Sequence, residues 1–302
     1  MKKTKNIQSI YSLSPMQQGM LFHSIYAPNS GVYFEQTTLN LQGYVDEAAL
    51  ELAWQKVVDR HPILRTLFVW ENRPTPLQVV LKHVTLPWNN LDWSSLSSTE
   101  QQQQLSELLQ REREQGFNFN QAPLMRCTLI KLSDENHKFI SNFHHILIDG
   151  WSLSIIFQEV LNFYRAEQTG KACSFPTPVP YRDYIAWLNS QNSEAANDFW
   201  QKNLQGFSAP TPLVVDKTKP SQQTDLNCSE LELRLGAEVT RGLQNLATQN
   251  QLTLSTLVQA VWGLLLSRYS GEKDVVFGVT VSGRNANLPG IEKMVGLLIN
   301  TL

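Results

Sequence analysis

The sequence lacks a basic block, and its opposite charges are nearly balanced. Lys and Arg number 25 against 27 Asp and Glu, which gives a formal net charge of −2 over 302 residues. Nucleic-acid binding depends on clustered positive charge that neutralises phosphates. The composition therefore argues against a nucleic-acid partner.

The sequence also lacks a long hydrophobic run. Its longest apolar stretch, residues 254–266, is interrupted by Ser255, Thr256 and Gln259, whereas a membrane-spanning helix needs about 20 apolar residues. The basic N-terminus is not followed by the apolar region that a secretory signal requires. We therefore expect no membrane association and a cytoplasmic location.

Cysteine is scarce and scattered. Cys127, Cys173 and Cys228 lie far apart and show no Cys-x-x-Cys spacing. An odd, dispersed set favours free thiols in a reducing compartment over a disulfide framework. No His or Cys set follows a recognised metal-ligand spacing, so no metal site is predicted.

Several helix starts can be identified from capping patterns. Ser14 with Gln17, and Ser97 with Glu100, have the spacing of capping boxes. Asp46 precedes a third helix whose apolar residues recur with the 3.6-residue period of a buried face. Its predicted buried members are Ala49, Leu50, Ala53, Trp54, Val57 and Val58. Residues 153–166 form a further predicted helix, which buries Ile155, Ile156, Val160, Leu161 and Phe163.

Strand signals alternate with these helices. The predicted strands are residues 33–41, 63–70, 76–81, 125–132, 137–143, 230–235 and 274–283, followed by the final residues 294–302. A turn around residues 133–135 makes an antiparallel pair of the fourth and fifth strands. Hairpins mixed with crossovers predict an α/β sandwich rather than a purely parallel sheet.

A Pro-rich segment, residues 174–180, predicts a boundary between two lobes because such a segment forms neither a regular helix nor a central strand. We expect a short N-terminal segment at 1–13, a first lobe at 14–175 and a second lobe at 176–302. Because the sequence ends inside a predicted strand, we expect the second lobe to be truncated.

The chemical signal is the stretch FHHILIDGW at residues 143–151, placed where a strand ends and a helix begins. Histidine can take and return a proton near neutral pH. From the spacing alone, a satisfied core histidine is a more typical explanation than a catalytic one. Other motifs decide between the two.

HHxxxDG followed by Trp151 resembles the signature of condensation domains in nonribosomal peptide synthetases. Further matches occur in the family's order at LSPMQQGMLFH (13–23), RHPILRTLF (60–68), YRDY (181–184), SGR (282–284) and VGLLINT (295–301). Together they span nearly the whole chain. The sequence is therefore identified as a member of that family.

The resemblance implies a chloramphenicol-acetyltransferase-like α/β fold with two lobes. It implies peptide-bond formation between an upstream carrier-bound acyl or peptidyl thioester and the amine of a downstream carrier-bound aminoacyl thioester. The expected partners are the upstream and downstream peptidyl carrier domains and the adenylation domain of the same synthetase. Substrates arrive on phosphopantetheine arms of the carriers, and no cofactor is expected to bind the domain directly.

The resemblance also names site residues. The predicted catalytic set is His145, His144, Asp149 and Gly150, with structural support from Arg284 and Arg65. His145 handles the proton, as a base or as a positioner, and an ion pair between Asp149 and Arg284 holds the loop. Gly150 is expected to permit a backbone conformation that other residues resist, and to offer its N–H to an oxyanion.

Finer expectations concern subtype and alternatives. The stretches SPMQQGMLFH and HHILIDGW resemble the subtype that takes a D-configured donor. Residues 1–13 resemble a docking segment, with a frayed terminus as the alternative. An epimerisation domain and a non-catalytic condensation-like recruitment module are the competing functions.

Overall fold

The structure is a computed structural model that describes residues 6–28, 30–213 and 231–302. Packing divides the chain into two compact units. The first unit comprises Met1–Gln191 and Val281–Asn300, and the second comprises Asn192–Thr280 and Thr301–Leu302. The helix after the Pro-rich segment therefore packs with the first unit. The lobe boundary after residue 175 stays a prediction.

The strands and helices alternate along the chain. The strands are β1 (Ile7–Ser12), β2 (Phe34–Gln42), β3 (Thr66–Val69), β4 (Leu77–Leu81), β5 (Trp88–Asp92), β6 (Met125–Ser133), β7 (Asn136–His144), β8 (Thr280–Ser282) and β9 (Ile299–Thr301). The helices are α1 (Pro15–Tyr26), α2 (Glu47–Arg60), α3 (Ser98–Gln115), α4 (Gly150–Thr169), α5 (Tyr181–Asn189), α6 (Ser193–Asn203), α7 (Ala237–Gln249) and α8 (Leu254–Ser270).

Two sheets organise the first unit. One has the strand order β1-β4-β3, and the other has the order β2-β7-β6-β5. The predicted hairpin of β6 and β7 is confirmed as an antiparallel pair. β2 pairs with the whole of β7, ending where Phe34 faces His144. The second sheet therefore delivers the histidine motif at the end of a central strand.

Helices α2 and α4 supply much of the core beside this sheet. All six predicted members of the α2 apolar face are buried, so that prediction is confirmed. Trp54 of α2 packs its ring 5.3 Å from that of Phe139 and 5.6 Å from that of Phe157. On α4, Ile156 and Val160 are buried as predicted. The prediction that Leu161 is buried is wrong, since it is 52% exposed.

The predicted caps are present. Ser14 and Gln17 form the capping box of α1, and Ser97 and Glu100 form that of α3. Asp46 accepts the Ala49 N–H at the start of α2. These local signals are reliable because a cap satisfies N–H groups that have no partner within the helix.

Several predicted strands differ from the structure. Residues 62–65 form a 3-10 turn, because Pro62 favours its first position, and the strand begins only at Thr66. Residues 231–235 form no strand, and residue 230 lies outside the described residues. Of 274–283 only β8 is extended in a ladder, and of 294–302 only β9.

Other elements were not predicted. β1 occupies residues 7–12, inside the segment expected to dock, and pairs with β4. β5 escaped prediction because its sequence, WNNLD, has no apolar alternation. Helix α6 was also missed. Cys228 lies outside the described residues, while Cys127 and Cys173 are free thiols. Across the described ranges, every helix is too short or too polar to cross a bilayer.

Replacing Ser97 by Ala tests the contribution of the α3 capping box. Ser97 accepts the Glu100 N–H and Glu100 accepts the Ser97 N–H, so we expect Ser97→Ala to lower the free energy of unfolding by about 1 kcal/mol. Urea titration measures this loss. Glu100→Gln keeps both bonds and is the matched control, with a smaller expected effect. Equal stability of Ser97→Ala and the unmodified protein would contradict the assignment.

Candidate active site

The histidine motif occupies the loop between β7 and α4. His144 is the last residue of β7, and Asp149 is the N-cap of α4, accepting the Ser152 N–H at 2.9 Å. The predicted placement, at a strand end followed by a helix start, is confirmed. Such a junction exposes backbone and side-chain groups that regular structure would otherwise occupy.

His144 has both ring nitrogens engaged. Its Nδ1 accepts the Ile146 N–H at 3.1 Å, and its Nε2 lies 3.2 Å from the Ser24 hydroxyl oxygen. The Ser24 hydroxyl donates its hydrogen to the Met20 carbonyl at 2.8 Å, so Nε2 must be the donor to Ser24. Burial, together with the nearby His145, lowers the pKa of His144 to about 3. His144 is therefore a neutral, fixed ring.

His145 is held by its backbone and has a freer ring. Its N–H donates to the Tyr33 carbonyl at 2.9 Å, and the residue is partly exposed. In the part of the chain that the structure describes, no group hydrogen-bonds to its buried Nδ1. The two adjacent histidines thus differ: one ring is committed to the scaffold and the other is available to a substrate.

Asp149 anchors the loop through a dense set of hydrogen bonds. The ion pair predicted with Arg284 is present, with Nη1 2.7 Å from Oδ2 and Nη2 3.0 Å from Oδ1. Both side chains are buried, with 0% of Asp149 and 6% of Arg284 exposed. The carboxylate also accepts the Ser152 hydroxyl at 2.9 Å and the Leu298 N–H at 3.1 Å.

The charge state of Asp149 follows from these contacts. Burial acts to raise the pKa of Asp149, but hydrogen bonds from Arg284 and from the Ser152 and Leu298 N–H groups hold it below its ordinary value. The carboxylate is therefore ionised, and its charge is balanced inside the protein by one bidentate guanidinium.

A distant segment of the first unit, residues 281–300, supplies the partners of this carboxylate. Besides Arg284 and Leu298, Gly296 joins it: the Asp149 N–H donates to the Gly296 carbonyl, and the Gly296 N–H donates to the Ser152 hydroxyl at 3.1 Å. A Cβ at position 296 would overlap the ring of Tyr181. Only glycine therefore lets this segment approach the loop.

Trp151 covers the ion pair rather than filling the core. It is 55% exposed, its ring lies 5.4 Å from the Arg284 guanidinium carbon, and its indole N–H donates to the Glu292 carbonyl at 3.0 Å. A guanidinium over an indole face is an attractive cation–π contact. The side chain therefore packs on Arg284 while keeping one face in solvent.

Two predicted site residues have ordinary structural surroundings. The expectation of an unusual backbone at Gly150 is wrong: it has no left-handed φ, and a Cβ there would meet nothing within 4 Å. Arg65 is buried away from the motif loop, where it donates to the carbonyls of Val58, Leu81 and Lys82. Arg65 therefore ties α2 to the end of β4.

Sequence reasoning missed a buried ionic cluster between α2 and α4. His61 Nε2 lies 2.7 Å from Glu159, and Arg60 Nε lies 3.1 Å from both oxygens of the same carboxylate. Burial acts to raise the pKa of Glu159, but the His61 hydrogen bond and the charges of His61 and Arg60 hold it below its ordinary value. An acidic residue on the apolar face of α4 was the signal that could have revealed this cluster.

Breaking the Asp149–Arg284 pair tests its structural weight. Asp149→Asn or Arg284→Met leaves one buried charge without its partner, so we expect each to lower the free energy of unfolding by about 3–5 kcal/mol. The double variant buries no unpaired charge and should lose much less than the sum. Urea unfolding of all four proteins at pH 7 provides the cycle. Additive losses would show that the two groups do not compensate each other.

The lowered pKa of His144 predicts acid sensitivity. Between pH 3 and the ordinary pKa of 6.5, the unfolded chain binds a proton that the folded protein excludes. The stability from this exclusion is complete above pH 6.5 and declines by about 2 kcal/mol by pH 5. In His144→Asn, the new amide oxygen can still accept the Ile146 N–H, and this part of the decline should vanish. Urea unfolding at pH 7 and pH 5 measures it.

The control for this measurement is His83→Asn, in an exposed position after β4. It should keep the pH dependence of the unmodified protein. If His144→Asn lost as much stability on acidification as the unmodified protein, the assignment of a neutral, buried His144 would be wrong.

Sequence comparisons place these features in a family. A family model described as "Condensation domain" matches residues 7–302. One of the linear gramicidin synthase proteins of Brevibacillus parabrevis is 44% identical over 306 residues, covering 100% of this chain and 4% of that protein. Bacitracin synthase 3 of Bacillus licheniformis is 38% identical over 297 residues, covering 98% of this chain and 5% of that protein. The chain thus spans a small part of these relatives.

Solved structures agree on the fold. The first condensation domain of the CDA synthetase superposes with a TM-score of 0.78 at 21% identity, covering 98% of this chain and 69% of that one. The four-domain nonribosomal peptide synthetase holo-AB3403, bound to AMP and glycine, also gives 0.78 at 21%, covering 98% and 22%. These likenesses confirm the predicted chloramphenicol-acetyltransferase-like α/β fold. By its sequence, fold and intact histidine motif, the chain belongs to the condensation-domain family of nonribosomal peptide synthetases, acyltransferases that form amide bonds.

Proposed function

We propose that this domain joins an upstream acyl or peptidyl thioester to the amine of a downstream aminoacyl thioester. The substrates arrive on phosphopantetheine arms of an upstream and a downstream peptidyl carrier domain. An adenylation domain of the same synthetase loads the downstream carrier, and the reaction takes place in the cytoplasm. The observation that carries the proposal is the partly exposed ring of His145, whose buried Nδ1 meets no partner among the described residues.

The reaction needs a group that handles one proton. The amine nitrogen bonds to the thioester carbonyl carbon, the C–S bond breaks, and the thiol leaves on the upstream carrier. An α-amino group has an ordinary pKa of about 7.7–8.0, so much of it is protonated at neutral pH. The nitrogen must lose a proton as it attacks, and the leaving sulfur gains one. An imidazole can accept the first and return the second.

The geometry assigns that task to His145 rather than to His144. Both nitrogens of His144 are hydrogen-bonded, and a pKa of about 3 makes that ring a weak base. His144 instead supports the loop, as Asp149 and Arg284 do. A thioester is already activated, so orientation of the amine by His145 contributes to the rate beside proton transfer.

The start of α4 offers a donor to the oxyanion. The N–H groups of the first helical turn have no acceptor within the helix, and Gly150 is the first residue of α4. In our proposal its N–H stabilises the negative charge that develops on the thioester oxygen. The open space around Gly150 leaves room for a substrate to approach.

The proposal includes the D-donor, L-acceptor subtype. It is supported by the likeness of SPMQQGMLFH and HHILIDGW to that group. The capping box of α1 fixes the first of these stretches on the scaffold through Ser14 and Gln17, and the Gln17 amide donates to the Ile146 carbonyl at 3.1 Å in the histidine loop. The opening motif is thereby tied to the site.

Replacing His145 by Ala tests the catalytic assignment. With two loaded carrier proteins as substrates, we expect kcat for amide formation to fall by about 10²–10⁴ in His145→Ala, because the positioned proton acceptor is lost. His83→Ala, at an exposed position, is the matched control and should keep full activity. Running D- and L-configured donors in the same assay decides the subtype.

Two results would contradict the proposal. Unchanged product yield in His145→Ala would remove the catalytic role of that ring. Incorporation of deuterium at Cα without bond formation would identify an epimerisation domain instead.

A further inference from the structure

Tyr33 has an unusual backbone conformation beside the histidine motif. Its φ is +66°, in the left-handed region that favours glycine and disfavours bulky side chains. Gly31, at φ +65°, accepts the Phe34 N–H at 3.1 Å, so residues 31–34 form a tight turn that leads into β2. A bulky residue keeps such a conformation only where its surroundings fix it.

The turn places the Tyr33 carbonyl opposite the second histidine. Antiparallel pairing of β2 with β7 ends at Phe34 and His144. The Tyr33 carbonyl accepts the His145 N–H at 2.9 Å and so continues the ladder beyond the end of β7. The backbone of His145 is therefore held by the residue that makes the turn.

The Tyr33 side chain contacts the first histidine. Its ring centroid lies 6.2 Å from that of His144, tilted by 56°. On its other side it lies 6.2 Å from the ring of His23, stacked within 7°, and its hydroxyl is 3.1 Å from His23 Nδ1. A single residue thus touches both motif histidines, one through its carbonyl and the other through its ring.

We propose that Tyr33 is a positioning residue for amide formation, because its left-handed turn sets the carbonyl that fixes His145 and the ring that supports His144. The inference rests on the proposed function of His145. It assigns to Tyr33 no contact with substrate. The strain of the turn is retained because an extended residue there would redirect the chain between α1 and β2.

Substitutions at position 33 separate the backbone effect from the side-chain effect. Tyr33→Phe keeps both the turn and the ring. Tyr33→Gly keeps the turn, since glycine adopts a left-handed φ freely, but loses the ring. Tyr33→Val disfavours the turn, because a β-branched residue strongly resists this conformation. Asn72→Val is the matched control, since Asn72 also has a left-handed φ of +56° but lies exposed between β3 and β4.

We expect a graded loss of kcat with KM nearly constant, because a misplaced positioning group weakens the transition state more than substrate binding. Relative to the unmodified protein, kcat should fall less than about twofold for Tyr33→Phe, about fivefold for Tyr33→Gly and about fiftyfold for Tyr33→Val. Asn72→Val should lose stability but keep kcat. Hydrogen exchange of the His145 amide should be faster in Tyr33→Val than in Tyr33→Gly.

Both readouts must agree for the proposal to stand. If Tyr33→Val keeps kcat within twofold, or if the His145 amide exchanges equally in the two variants, the positioning role is overturned. His145→Ala is assayed in parallel. Should it form amide as fast as the unmodified protein, the proposed function fails, and the exchange comparison still decides whether Tyr33 holds the His145 backbone.

Discussion

The order of the site depends on one buried carboxylate. Asp149 is fully buried, and an isolated charge at such a position would be severely destabilising. The bidentate Arg284, two backbone N–H groups and the Ser152 hydroxyl together satisfy it. Because those partners come from both the start of α4 and residues 281–300, satisfying the charge also fixes the loop that carries the histidines.

The two histidines take different roles because they lie at the end of a strand. Up to His144 the sheet dictates position, and the ring is enclosed by Ser24 and the following backbone. His145 is the first residue beyond β7, where only the Tyr33 carbonyl continues the pairing. One ring is thereby desolvated and kept neutral, and the other keeps contact with the solvent from which substrates arrive.

Local features of this chain could be predicted from sequence, and non-local ones could not. The capping boxes and the α2 face depend on neighbours within one or two turns, so their patterns were sufficient. β5 carries two adjacent asparagines and forms by parallel pairing with β6, which its own residues do not signal. The Asp149–Arg284 pair followed from family resemblance. The contacts of Ser24 and Tyr33 depend on how β2 and α1 meet β7, which sequence spacing does not encode.

The return of residues 281–300 to the first unit has a consequence for domain engineering. A chimera joined at the Pro-rich segment 174–180 takes Asp149 from one parent and Arg284, Gly296 and Leu298 from the other. The foreign segment must then match the Tyr181 ring and the Ser152 hydroxyl of its host. Fusion junctions that keep both stretches from the same parent preserve this fit, whichever substrate-binding regions are exchanged.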